Sequence, residues 1–212
     1  MEWGLRIEKK PAREATIEAL RFIENGAVDV IMYLTMPMLA QAKEQEEIRR
    51  YLASVDLLIC AETLLAETFC EENQDAVKEV EEDTFFTDFI KRIVRAKQHI
   101  FLVADSEDAL EAYEDYLHEI HENAEIAGKY LWDEQSGSEE DLINEINGMT
   151  PHVVISALSF EKHMQLLCCN KAMLNADLWI ARPDGSPGYT APRGLARLAQ
   201  KFLYKQIMRE EP

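Results

Sequence analysis

A lysine and a histidine directly follow an apolar run in the stretch "VVISALSFEKHM", residues 153–164. If the run is a strand and a helix begins after it, Lys162 and His163 lie on the first turn of that helix. A helix N-terminus favours anions, so this arrangement predicts binding of a phosphate-bearing ligand such as a nucleotide diphosphate. A solvent-facing lysine beside a capping or packing histidine gives the same pattern, and these residues alone favour that simpler interpretation.

Five basic residues recur at every fourth position near the end of the chain, within residues 190–212. They are Arg193, Arg197, Lys201, Lys205 and Arg209. Each step of four residues advances by about 40° around an α-helix, so these side chains would form a broad basic face beside apolar residues. The segment carries a net charge of +3 in a chain of net charge −18. The pattern predicts an amphipathic helix that either meets an anionic surface or packs on its own domain with a solvated basic edge.

Other motifs with known chemistry are weak or missing in the sequence. It contains no GxGxxG, no GxxxxGK[ST] and no GxSxG, so dinucleotide, P-loop and serine-hydrolase sites are not predicted. His118, His121 and Glu122 have helical spacing, but a solvated helix face explains them better than a metal site, and no metal is predicted. Cys168 and Cys169 lie within an apolar stretch and are predicted to be small core residues.

The composition restricts the class of protein further. The chain has 212 residues, of which 40 are acidic and 22 basic, a balance that disfavours nucleic-acid partners. No apolar run approaches the roughly 18 residues that cross a bilayer, and the first ten residues do not resemble a secretory signal. Four irregularly spaced cysteines fit neither a disulfide framework nor a structural zinc site. These features predict a cytoplasmic globular protein.

Short apolar runs alternate with amphipathic stretches along the chain, which predicts an α/β fold with a mainly parallel sheet flanked by helices. The predicted strands are residues 27–34, 55–60, 98–104, 124–131, 151–159 and 176–181. The predicted helices are residues 11–25, 36–54, 62–73, 84–96, 106–123, 138–148 and 160–174, with an acidic, solvated stretch at 70–83. We expect one domain over residues 1–189 and an amphipathic helical appendage over residues 190–212.

Ligands of such sheets bind outside the carboxyl ends of the strands, which selects six loops before any motif is considered. These loops are residues 35–37, 60–63, 104–106, 132–136, 159–163 and 182–188. Lys162 and His163 fall in this set, as does the glycine-rich "DGSPG" that begins at Asp184. That stretch is predicted to be a turn, with a phosphate-binding loop as the alternative.

The order of segments resembles the WecG/TagA/CpsF glycosyltransferases over nearly the whole chain, from about residue 27 onward. The end of the sequence carries the most specific match: "APR" at residues 191–193, "FLYK" at 202–205 and a final "EP". Enzymes of that family transfer N-acetylmannosamine-type sugars from UDP to lipid-linked acceptors in bacterial cell-envelope synthesis. The resemblance therefore implies a UDP-sugar donor, a lipid-linked saccharide acceptor and no metal or other cofactor.

The sequence departs from the family pattern at the positions where the family has its catalytic and donor-binding residues. Thr35, together with Tyr33, stands where the family has Thr-x-Asn, and Ala61 stands where it has the proposed catalytic aspartate. Glu62, one residue later, is the predicted base, with Thr35 beside it. Of the family's Pro-Lys-Gln-Glu, only Lys162 is kept.

Position in the chain predicts the groups around the donor, and the resemblance predicts the role of the appendage. Lys162, His163 and Arg182 are predicted to meet the diphosphate, and Asp184 is predicted to bind the substrate. The basic residues of the appendage are predicted to face the acceptor at the inner membrane surface, so that the protein is cytoplasmic and peripheral. Two alternatives remain: a catalytically inactive relative that binds a UDP-sugar or acts as a docking scaffold, and a homo-oligomer or partner subunit whose terminal helix contacts another chain.

Overall fold

The computed structural model describes residues 5–71, 73–133, 137–183 and 187 of the 212-residue chain. The appendage at residues 190–212, with its five basic residues, lies outside the described residues, and so does Asp184. The predictions made for them therefore stay predictions.

Six strands form one sheet in which every pairing is parallel, with the spatial order β2-β1-β6-β5-β3-β4. The strands are β1 (Asp29–Leu34), β2 (Leu57–Cys60), β3 (Ile100–Ala104), β4 (Ile126–Leu131), β5 (Val153–Ala157) and β6 (Leu178–Arg182). Each of the six predicted strands is confirmed. Parallel strands that are covered on both faces require long apolar runs, which is why they were visible in the sequence.

Nine α-helices within the described residues cover the sheet. They are α1 (Ala12–Ile23), α2 (Met36–Glu44), α3 (Glu46–Ser54), α4 (Thr63–Phe69), α5 (Ala76–Glu81), α6 (Thr84–Arg95), α7 (Glu107–Ile120), α8 (Glu139–Met149) and α9 (Phe160–Asn170). Helices α1, α6 and α7 pack on one face, and α2, α3, α8 and α9 on the other, so the sheet separates two hydrophobic cores. The α/β class with helices on both faces is confirmed.

Three details differ from the sequence predictions. The predicted helix 36–54 is two helices, because Gln45 adopts an extended conformation (φ −120°, ψ 115°) between α2 and α3. The acidic stretch at 70–83 contains α5 and ends in a buried residue, Asp83. Cys168 and Cys169, predicted to be core residues, are exposed on α9, so that prediction was wrong.

The strand register brings the carboxyl ends of the strands to one edge of the sheet. Leu34 of β1 pairs with Cys60 of β2, and Ala157 of β5 pairs with both Ala104 of β3 and Arg182 of β6. The described residues of the loops selected from the sequence therefore lie along a common edge, here named the carboxyl edge. None of the helices described is both long enough and apolar enough to cross a bilayer.

Candidate functional site

Thr35 and Glu62 meet where β1 and β2 end. Thr35 is the N-cap of α2, and its hydroxyl accepts a hydrogen bond from the Met38 amide at 3.5 Å. The Glu62 carboxylate accepts one from the Met36 amide at 3.0 Å, and the turn is tied to β1 by the Ala61 amide, which donates to Leu34 O at 2.9 Å. Amides at a helix N-terminus are free to bind an acceptor, and a negative group there is favoured by the helix dipole. The structure thus brings the two predicted catalytic residues together.

Glu62 is the group of this turn that can accept a proton. Ala61, on its N-terminal side, has no ionisable side chain, whereas the half-buried Glu62 presents a carboxylate at the carboxyl edge. One carboxylate oxygen has a defined amide partner, which holds the side chain in one orientation. An oriented carboxylate at a sheet edge can act as a general base towards a hydroxyl group placed within hydrogen-bond reach.

Lys162 lies at the same edge, in the first turn of α9. Ser159 caps that helix by accepting a hydrogen bond from the Lys162 amide at 3.3 Å. The Lys162 ammonium donates to the carbonyl of Trp132 at 2.6 Å and lies 5.5 Å from the centre of the Trp132 ring. Trp132 directly follows β4, so the positive charge is held between the ends of β4 and β5. A half-buried, oriented ammonium group at a helix N-terminus is suited to an anionic ligand.

The distance between these two parts of the edge follows from the strand order. Strands β1 and β6 separate β2 from β5, so the ends of β2 and β5 are three strand spacings apart, about 14 Å. Glu62 and Lys162 therefore do not act on the same atom of a ligand. They can contact opposite ends of one elongated ligand lying along the carboxyl edge.

The structure places His163 inside the protein. It is 1 % exposed, and its Nε2 lies 2.6 Å from Oγ of Ser156 in β5. Ser156 Oγ in turn donates to Ile180 O of β6 at 3.3 Å. Burial lowers the pKa of His163 to about 3, so the ring is neutral at physiological pH. This buried, neutral imidazole joins α9 to β5 and, through Ser156, to β6, and its contact to a diphosphate stays a prediction.

Arg182 is likewise buried, with 5 % exposure, although the sequence predicted it at the donor. Its guanidinium forms a two-pronged ion pair with Asp83, with Nη1–Oδ1 at 3.0 Å and Nη2–Oδ2 at 2.8 Å. The charge is also 4.4 Å from the centre of the Tyr33 ring and 4.2 Å from that of Phe86. The positive charge is therefore already matched inside the protein, and the contact to a diphosphate stays a prediction.

Asp83 is the residue that the sequence reading missed. It was assigned to a solvated acidic stretch, yet it is 7 % exposed and also accepts hydrogen bonds from the hydroxyls of Tyr33 at 3.3 Å and Tyr116 at 3.1 Å. Its backbone is left-handed (φ 48°) at the start of α6. Aspartate tolerates this conformation better than most residues, and "EEDTFF" reads as an acidic residue before a helix, but neither signal indicates burial.

The Asp83–Arg182 pair holds the chain where it leaves β6. Arg182 also donates to the carbonyl of Pro187, and the Tyr113 hydroxyl donates to that of Pro183 at 3.4 Å. The segment after β6 was predicted to line the donor site, and of its described residues Pro187 is contacted by Arg182 and Pro183 by Tyr113.

A cavity of about 820 Å³ lies at the opposite edge, where β1 and β6 begin. It is lined by Asp29, Tyr51, Lys171 and Asp177, among others, and by none of the predicted site residues. We place the candidate site at the carboxyl edge, because the oriented carboxylate and ammonium lie there and ligands of parallel sheets bind there.

Within the described residues, no group of three His, Cys, Asp or Glu side chains has the arrangement of a metal site, and His118 and Glu122 are exposed.

Comparison with known proteins gives one family. The model of the glycosyl transferase WecG/TagA/CpsF family matches residues 2–182. This range includes the strands of the sheet and the loops that carry the candidate site. No curated protein matches the sequence.

Proposed function

This chain belongs to the WecG/TagA/CpsF family of glycosyltransferases, and we propose that it transfers an N-acetylmannosamine-type sugar from UDP to a lipid-linked acceptor. The family supports a glycosyltransferase-like role in cell-envelope polysaccharide synthesis. The observation that carries the proposal is the Glu62 carboxylate, oriented by the Met36 amide beside Thr35 at the carboxyl edge.

The proposed reaction uses one end of the carboxyl edge for the acceptor hydroxyl and the other end for the nucleotide diphosphate of the donor. Glu62 takes the proton from the acceptor hydroxyl as that oxygen attacks the anomeric carbon, and the bond from that carbon to the UDP oxygen breaks. Lys162 contacts the nucleotide diphosphate end of the donor, where its charge favours the anion. No metal ion is required in this scheme.

Lys162 is tested by calorimetric titration of UDP and UDP-N-acetylmannosamine into the wild type and the Lys162→Ala variant. Losing a hydrogen bond from a charged donor costs about 1.5–3 kcal/mol, so we expect Kd to rise roughly 10- to 100-fold. Lys129→Ala is the matched control, because Lys129 pairs on the exposed surface of β4 with Glu114 and its removal should leave Kd unchanged. If the wild type binds neither ligand, the donor assignment fails.

Glu62 is tested by turnover with UDP-N-acetylmannosamine and a short-chain lipid-linked acceptor. Glu62→Gln keeps an acceptor oxygen for the Met36 amide and cannot take a proton. We expect unchanged donor Kd and a rate about 10²- to 10⁴-fold lower, the usual contribution of a general base. A variant as fast as the wild type would show that Glu62 is not the base.

The alternative function is that of an inactive relative, which the alanine at position 61 favours. Such a protein would bind the UDP-sugar through Lys162 but would turn it over no faster in the wild type than in Glu62→Gln.

The predicted membrane-facing appendage is tested separately by sedimentation with anionic vesicles, comparing the full chain with one ending at residue 189. Loss of vesicle binding supports membrane docking, whereas loss of a homo-oligomer supports a subunit contact.

A further inference from the structure

Two buried thiols lie together next to the candidate base. Cys60 is the last residue of β2, and Cys70 ends α4, the helix that begins after Glu62. Both side chains belong to the same hydrophobic core, with 5 % and 7 % exposure, and both are free cysteines. The proposed reaction uses neither of them.

The N-terminal segment explains why the two sulfur atoms approach each other. It runs parallel to β2: the Leu58 amide donates to Arg6 O at 2.9 Å, and the Glu8 amide donates to Leu58 O at 2.7 Å. The Cys70 thiol donates to Glu8 O at 3.4 Å, which places its sulfur beside the end of β2, where Cys60 lies. The two thiols shift each other's pKa, which agrees with this placement.

The two thiols are not equivalent. The interaction with Cys60 lowers the pKa of Cys70, whereas the same interaction together with burial raises the pKa of Cys60. Because a thiolate is the reactive form of cysteine, Cys70 is the nucleophile of the pair and Cys60 the neighbouring thiol that can react with it afterwards. A thiol of lowered pKa beside a second thiol is one feature of cysteines that react with peroxides.

We propose that Cys60 and Cys70 form a reversible disulfide when the protein encounters a peroxide. The Cys70 thiolate attacks one peroxide oxygen, the O–O bond breaks, and Cys70 becomes a sulfenic acid as water or an alcohol leaves. The Cys60 sulfur then attacks the Cys70 sulfur, the S–S bond forms, the S–O bond breaks, and water leaves. The two thiols lose two electrons in total and the peroxide gains two.

The disulfide would close a loop of residues 60–70 that contains Glu62 and all of α4. Forming it would join the start and the end of this loop next to the carboxyl edge. The modification is defined by the two sulfur atoms and does not rest on the proposed transferase function, and it is measured by mass rather than by activity.

The test uses the wild-type full chain, exposed to hydrogen peroxide in its native state, then unfolded and alkylated with iodoacetamide. Peptide mass spectrometry should find the peptides of Cys60 and Cys70 joined, with a mass lower by two hydrogen atoms, and dithiothreitol should restore two alkylated thiols. If Cys60 and Cys70 are both fully alkylated after peroxide treatment, the proposal is overturned.

Variants assign the order of the steps. Cys60→Ser should trap Cys70 as a sulfenic acid that dimedone labels, and Cys70→Ser should remove that reaction. The matched control is Cys168→Ser with Cys169→Ser, because those two adjacent thiols are exposed on α9. The control should leave the yield of the Cys60–Cys70 disulfide unchanged, and loss of the disulfide in it would overturn the proposal.

Discussion

Replacing Asp83 by asparagine should strongly destabilise the fold, because the change removes the counter-charge of a buried arginine. Asp83 accepts two hydrogen bonds from Arg182 and one each from Tyr33 and Tyr116. Asparagine has nearly the same shape, so packing around the site changes little. The loss of stability in this variant therefore reports the removal of the negative charge and not the creation of a cavity.

The magnitude follows from the burial of the pair. Both side chains are at least nine-tenths buried, and breaking a buried pair by changing one partner costs about 3–5 kcal/mol. The other contact of the guanidinium, from Nη2 to Pro187 O, is to a neutral carbonyl and does not replace the counter-charge, and Nε has no hydrogen-bond partner among the described residues. For a domain of this size, each kcal/mol lowers Tm by about 2–4 °C, so we expect a decrease of roughly 6–20 °C.

Urea unfolding followed by circular dichroism measures the free energy of unfolding of the wild type and of Asp83→Asn. Glu46→Gln is the matched control, since the Glu46–Arg50 pair on α3 is exposed and such pairs contribute less than about 1 kcal/mol. Adding Arg182→Met to Asp83→Asn should recover part of the loss, because no unpaired charge then remains buried. A cost below about 1 kcal/mol for Asp83→Asn would refute the reasoning.

Two further predictions concern pH and packing. The pKa of His163 is about 3 in the folded protein and near 6.5 in the unfolded chain. On acidification the unfolded state therefore gains a proton first, so the free energy of unfolding falls between these two pH values, by at most about 1.4 kcal/mol per pH unit. His163→Asn should flatten this slope in urea unfolding at about pH 5 and 7, and an unchanged slope would contradict the assignment. Gly128→Ala should cost about 1–3 kcal/mol, because its Cβ would lie 2.6 Å from the Phe101 ring. Gly148→Ala, in α8 with nothing within 4 Å of its Cβ, should gain about 0.5–1 kcal/mol by the same assay, and equal effects of the two changes would contradict the packing argument.

The strands could be predicted from the sequence because the apolar run that indicates each strand lies within the strand itself. A strand buried on both faces needs an unbroken apolar run, and β3 and β5 are completely buried runs of five residues. The rule that ligands meet the carboxyl ends of parallel strands then selected six loops that contain Thr35, Glu62 and Lys162, and the resemblance to the glycosyltransferase family singled out Glu62 and Thr35 within them. The break at Gln45 was missed because helical periodicity continues through it.

Burial of a polar side chain could not be read in the same way, because it depends on partners distant in sequence. Arg182 is paired with Asp83, which lies 99 residues earlier, and the two meet only because α6 packs across the end of β6. His163 faces Ser156, and whether that hydroxyl points into the core depends on the strands on either side of β5. From the sequence alone, both residues looked like cations near a ligand.

The sequence by itself determined the α/β class, the six parallel strands and the edge at which to look for chemistry, since each follows from local apolar periodicity and from the geometry of strand–helix–strand units. Only the tertiary structure decided the strand order β2-β1-β6-β5-β3-β4. That order separates Lys162 from Glu62 and encloses Arg182 and His163, while the packing of the N-terminal segment beside β2 places Cys70 near Cys60. The physical reason is that strand order and side-chain burial arise from contacts between distant parts of the chain, which leave little trace in the local pattern.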